Sequence, residues 1–414
     1  MAVTPTDLEA FLRGQPISPA ASQEIVGQLD DRNSLVSIMG RRLSLAARQM
    51  ANPDGPLITA IGEPLDSTLA DLKGLNQQCV ELSRAKRWQE ALPLRLTTCR
   101  LAMRYLGEDH RDAMTYIHHL GIILYQCGQL DRAQRILDRA IDLRSQYLGE
   151  DKAETAISWT GLGRVLEAMG EYEDGAECHS FALSVTEEEF GPNHPETAVN
   201  LRDLGCVSLS LGDFPTATRC FERAVEIARE IDGEFDPIYA SSLIHLASAR
   251  EAVGDDASAE RLYLEGLEIL EASVGPDDAD VAWCLDQLAG LRLKQGDGKV
   301  ALALCERALG ISVGDGRFGG MLRGSLTGNL GAALLMTNQA RKAVRCCRDA
   351  IRELTKWLGE NHPAISILTT NLELAKSHQS PGEAAELPKK LVAKPVYLPA
   401  DGQTLMVIHF TIAA

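Results

Sequence analysis

The chain has 414 residues, more than one compact core usually holds, so either several globular domains or an elongated array of repeats is expected. Apolar residues make up 45% and charged ones 24%, which excludes wholesale disorder and a collagen-like rod. Lys and Arg number 41 against 58 Asp and Glu, and the net charge of −17 repels phosphate backbones and anionic lipid, so neither nucleic acid nor a membrane is an expected partner.

The first residues, MAVTPTDLEAFLRG, place Asp7 and Glu9 where a secretory signal needs a positive start and an unbroken apolar run. Residues 1–65 suggest three helices, near 6–12, 20–29 and 32–50. A linker with three prolines follows at 53–64, and the whole reads as an N-terminal cap or small bundle. Residues 113–130 lack Asp, Glu, Lys and Arg, but His118, His119, Gln126 and Gln129 make them a poor membrane span. Ten cysteines without a short disulfide framework suit a reducing compartment, so a cytoplasmic location is expected.

From residue 66 onward the chain repeats. Gly128, Gly170, Gly212, Gly254 and Gly296 are spaced by 42 residues, and the same step reaches Lys86 in one direction and Asn338 in the other. A second series, Gly107, Gly149, Gly191, Gly233 and Gly275, has the same period and continues to Gly314 and Gly359. Small residues stand at fixed offsets from the first series: Ala91, Ala133, Gly175, Ala217, Ala259, Ala301 and Ala343 five residues after, and Cys79, Gly121, Gly163, Gly205, Ala247, Ala289 and Gly331 seven before. Each unit therefore reads as helix A, a tight turn, helix B and a loop. In helix B of the second unit, Ala133, Ile136, Leu137, Ala140 and Ile141 form one apolar stripe, which a helix pair buries by stacking on its neighbours.

These small-residue positions, the Leu-Gly pairs and the alanines at 140, 182, 224, 308 and 350 resemble tetratricopeptide repeats. The 42-residue period, with inter-repeat strings such as YLGEDH (105–110), FGPNHPETA (190–198) and WLGENHPAI (357–365), is similar to the kinesin light chain subclass. The resemblance implies an all-α fold, a right-handed superhelical solenoid of about seven antiparallel helix pairs over residues 66–378, closed by a capping helix at 364–377. Glu373 takes the small-residue position of that cap, as suits a solvent-facing end.

Past Ser380 the segment PGEAAELPKKLVAKPVYLP reads as a linker, and TLMVIHFTI then has strand character, with Met406, Ile408, Phe410 and Ile412 on one face. A lone apolar strand needs a partner. Residues 387–414 carry Lys389, Lys390 and Lys394 against Asp401, so this tail would dock on the acidic solenoid or add a strand to a partner's sheet edge.

No GxxxxGK[ST], HExxH or CxxC motif is present, and no cofactor or metal is expected. GISVG (310–314) fits the nucleophile pattern around Ser312 and GDGRFG (314–319) fits GxGxxG, but both fall where a helix B gives way to its loop rather than between a strand and a helix. Cys178, Cys220 and Cys346 share one repeat position with Ile136 and Leu262, and Cys305 and Cys347 share the next with Leu137 and Phe221, which marks them as core. The adjacent Cys346 and Cys347 would strain the backbone as a disulfide. His110, His194 and His362 hold equivalent loop positions, the last two before proline.

In the tetratricopeptide family, the helix A side chains three residues before and one after the small position line the concave groove. Transferred to this sequence, that implies a peptide-binding set of Asn76, His118, Arg164 and Arg202, with Gln126 as a neighbour. Arg164 and Arg202 come from consecutive repeats and would suit a carboxylate on a protein or peptide partner. The plainer reading pairs them with local acids such as Asp203 or Glu167. The ordered Lys, Asn, Asn, Lys, Arg of the carboxylate clamp is absent, and IHHL (117–120) and LRDL (201–204) replace the LNNL string of kinesin light chains. The leading expectation is a non-enzymatic scaffold or adaptor. Two others stand beside it: a regulatory arm of an enzyme such as a caspase-like (CHAT) protease, and a peptide-sensing bacterial regulator.

Overall fold

Apolar residues that return every three to four positions, interrupted once per unit by a left-handed turn, leave the chain little choice but helix, turn and helix. The computed structural model describes residues 65–378, apart from 315 and 361, and the strands 391–400 and 403–412. The helices and linker expected before residue 65 lie outside the described residues. Seven helix pairs follow one another: α1 (Leu65–Arg84) and α2 (Trp88–Tyr105), α3 (Arg111–Gln126) and α4 (Leu130–Tyr147), α5 (Ala153–Met169) and α6 (Tyr172–Phe190), α7 (Pro195–Leu211) and α8 (Phe214–Ile231), α9 (Pro237–Ala252) and α10 (Asp256–Ser273), α11 (Ala279–Lys294) and α12 (Gly298–Leu309), α13 (Arg317–Met336) and α14 (Ala340–Leu358). A last helix, α15 (Pro363–Ser377), follows them, and from α4 onward each helix packs mainly on its sequence neighbours.

Two compact units are distinguished. In the first, which includes α1 up to Glu81 and residues 93–116, the buried Arg95 donates to Asn76 Oδ1 at 2.8 Å and lies 5.3 Å from the Tyr116 ring centroid. The second comprises residues 82–92 and everything from Ile117 onward.

In the second unit the small-residue position is where helices A and B nearly touch. A Cβ on Gly205 would sit 2.4 Å from Phe221 Cε1, and the same offset joins Gly121 to Leu137, Gly163 to His179 and Gly331 to Cys347. The turn position is left-handed in every unit, including the two where the glycine series breaks: Lys86 has φ 56° and Asn338 φ 61°. His194 and His362 cap helices, their Nδ1 atoms accepting from the Glu196 and Ala364 amides.

The later pairs also reach back to earlier ones. A Cβ on Gly128 would lie 3.3 Å from Trp357 Cζ3, and Tyr172 Oη is 3.2 Å from His362 Nε2. The buried Arg317 donates to the Trp357 carbonyl at 2.7 Å and stands 5.4 Å over the Tyr125 ring.

The expected strand has its partner inside the segment expected to be linker. β1 (Leu391–Ala400) and β2 (Gln403–Ile412) pair antiparallel, with Tyr397 opposite Met406, Leu398 opposite Leu405 and Ala400 opposite Gln403. Pro395 and Pro399 suggested a linker, but they are four residues apart. A regular ladder therefore turns both missing N–H groups to the outer edge, where β2 needs no donor. The hairpin lies along α5, α7, α9, α11, α13 and α15, all of them A-type helices. Leu405 is fully buried and Tyr397 half-buried, and the register puts them on opposite faces of the hairpin.

Candidate functional site

The helix A positions expected to line a groove are largely spent on joining one A helix to the next. His118 is buried, with Nδ1 3.3 Å from Ser158 Oγ on α5, and Ser158 also accepts from Arg144 at 2.8 Å. Thr160 donates to Asn200 Oδ1 on α7 at 2.7 Å. Asp286 accepts from Ser325 at 2.7 Å and Asn329 at 2.9 Å, both on α13. The repeat sets these rungs, because the partners stand 39 to 43 residues apart, close to one period, and so face each other on consecutive A helices. Gln126 is buried near the start of α13, where a Cβ on Gly316 would come within 3.1 Å of its Oε1. Asn76 belongs to the first unit and accepts from Arg95.

Arg164 and Arg202 converge as the spacing suggested, and they meet on Asp203. Arg164 donates to Oδ2 from Nε at 3.1 Å and Nη2 at 2.8 Å, while Arg202 Nη2 reaches Oδ1 at 3.3 Å. The carboxylate is 1% exposed, whereas the two arginine side chains keep 22% and 26% of their surface. Burial alone would raise the Asp203 pKa, but Arg164 and then Arg202 outweigh it and hold the carboxyl at about 2. One rung further, His245 is buried between Phe221 and Trp283, with ring centroids 5.3 and 4.9 Å away. Burial, helped by Arg202, pushes its imidazole down to about 3, so it is neutral at pH 7.

A third polar group lies on α9 to α11. Tyr263 Oη donates to Glu251 Oε2 at 3.2 Å and is 3.0 Å from Ser248 Oγ. Lys294 Nζ donates to the Glu251 carbonyl at 3.1 Å and pairs with Asp256 at 2.5 Å. Glu251 is 1% exposed, and its Oε1 has no partner among the described residues. Burial pushes its carboxyl up to about 7 against the pull of Lys294 and Tyr263. Tyr397 of β1 belongs to this group: burial first, then Glu251 and Asp256, push its hydroxyl pKa up, and that hydroxyl too lacks a partner among the described residues. Sequence reasoning did not single out Glu251, Tyr263, Tyr397 or Leu405. One signal was present, since Asp401-Gly402 between two alternating apolar runs is the strongest short-range mark of a hairpin.

The remaining candidates have structural places. Ser312 is exposed in the connection between α12 and α13, so it follows a helix rather than a strand. Cys346 and Cys347 are free thiols, and burial pushes Cys347 up to about 12, which makes it a poor nucleophile. Among the described residues no three His, Cys, Asp or Glu side chains converge as a metal site, and no helix is long and apolar enough to cross a membrane.

The family model described as tetratricopeptide repeat matches residues 112–174, 154–230, 207–272 and 238–312. No curated protein matches the chain. Among solved structures, the TPR-like repeats of a kinesin light chain from Podosopora anserina are 19% identical, cover 49% of this chain and 96% of theirs, and align with a TM-score of 0.42. BtubC (BKLC) from P. vanneervenii is 20% identical over 56% of this chain and 89% of its own, with a TM-score of 0.43. The apo form of RapI is 15% identical over 69% of this chain and 98% of its own, with a TM-score of 0.54, a likeness of fold. Repeat period, stacked helix pairs and family match agree that residues 112–312 are tetratricopeptide repeats, in units of 42 residues.

Proposed function

We propose that the A-helix face of the second unit binds an extended segment of a partner protein, and that the chain serves as a non-catalytic scaffold or adaptor in the cytoplasm. One observation carries this reading: six A-type helices present a continuous face along which ten-residue strands already lie. The helices hold their polar side chains in place through rungs such as Thr160 to Asn200, so ordering entropy falls mainly on the incoming segment. Arg164 and Arg202, fixed on Asp203 yet partly exposed, favour a partner that presents a carboxylate. His118 and Gln126 are buried in the same unit, and Asn76 would act within the first unit.

Arg202→Gln tests this with little harm to the fold, because both Arg164 bonds to Asp203 remain. In affinity capture from native cytosol read by mass spectrometry, we expect the variant to lose one specific protein, with its affinity down about tenfold as for one charge-assisted bond. Unchanged helical circular dichroism would confirm that the array is intact. An identical partner set would remove the arginine pair from the site.

A further inference from the structure

The face assigned to a partner is already occupied, because β1 and β2 lie along α5, α7, α9, α11, α13 and α15. Taking that face as the partner site, we propose that the C-terminal hairpin is its removable occupant, and that the partner for which it makes way is an extended, apolar, β-forming segment that takes over the seats of Leu405 and Tyr397.

The two seats define the chemistry. Leu405 is fully buried in the core cluster that contains Trp283, Leu322 and Leu368, a pocket that selects for an aliphatic side chain. Tyr397 packs on both large core clusters, beside Glu251. Its hydroxyl and Glu251 Oε1 are both buried without a hydrogen-bond partner among the described residues. Such atoms weaken the seat, so a segment that brings a donor to Glu251 Oε1 binds better than the chain's own strand.

The hairpin can leave at small structural cost. It stays joined to the array through the chain when it leaves, because residues 379–390 precede it in the sequence. A lone two-stranded hairpin is marginal in water, so its strands depend on the face more than the face depends on them. The rungs that join the A helices, among them Thr160 to Asn200 and Asp286 to Asn329, do not pass through it. Tethering fixes the competition: the hairpin stands at millimolar effective concentration over its own site, so a partner in trans must outbid it.

The test uses the full chain and, as probe, a fluorescent synthetic peptide of residues 387–414. Wild type is expected to bind the probe weakly, and Leu405→Asp about 100-fold more tightly, because its own hairpin no longer competes. Equal affinity for both proteins would overturn the proposal. Hydrogen exchange on unmutated wild type gives an independent reading. The amides of β1 and β2 should open at a denaturant concentration where α5 to α15 remain protected, and opening of strands and helices together would show that the hairpin is a fixed part of the core. The reading of the face as a partner site fails separately. If the probe binds Leu405→Asp as expected but Arg202→Gln loses no cellular partner, the removable hairpin stands and the carboxylate-bearing partner falls.

Discussion

One methyl group sets the distance between helices A and B. At Gly205 an added Cβ would meet the Phe221 ring at 2.4 and 2.7 Å, so either the ring or the backbone must shift. Gly205→Ala is expected to cost about 1 to 3 kcal/mol in urea unfolding, and a neutral result would mean that α7 and α8 are free to slide. This constraint was legible in the sequence because it recurs with the repeat, and so was the left-handed turn, even at Lys86 and Asn338. The polar residues were less legible. Sequence could place Arg164 and Arg202 on consecutive helices and name Asp203 as a local acid, but it could not tell whether His118 faced a ligand or Ser158. A helix position fixes a direction, whereas the neighbouring helix decides what stands there.

At the scale of elements, the helices followed from periodicity and the hairpin did not. β1 was hidden by Pro395 and Pro399, although Asp401-Gly402 marked the turn. Its seat was beyond reach of local patterns, since Glu251 and Tyr397 meet only once the array has formed. The same holds for the contact between late and early helices, where Trp357 packs against Gly320 and the Gly128 turn. In an array stabilised by nearest neighbours alone, a change at the end of α14 leaves α3 and α4 untouched. Trp357→Ala is therefore expected to cost about 3 kcal/mol and to speed amide exchange both at the start of α13 and around Gly128. Exchange that rises only in α13 and α14 would show that the back-contact carries no energy.

For the molecule as a whole, two buried groups outside the Arg164 and Asp203 pair pull stability in opposite directions as pH changes. The Glu251 carboxyl is raised from 4.5 to about 7 in the fold. Its contribution is fully present below pH 4.5 and is lost as pH rises through about 7, because over that window the native state holds a proton the unfolded chain has released. The His245 imidazole is depressed from 6.5 to about 3. Its contribution is present above pH 6.5 and is lost as pH falls through about 3, since the unfolded chain binds the proton first. Between pH 4.5 and 6.5 the two slopes have opposite signs and each is worth roughly 1 kcal/mol per pH unit. They offset one another, so these two groups together add little net slope across that range. Removing either one exposes the other. Glu251→Gln should become more acid-labile than wild type, losing about 2 kcal/mol more in urea unfolding between pH 6.5 and 5. His245→Phe, which keeps the stack with Phe221 and Trp283, should instead gain about 2 kcal/mol relative to wild type as pH falls over the same interval. Parallel pH profiles for wild type and both variants would mean that neither group titrates inside the fold as its surroundings dictate.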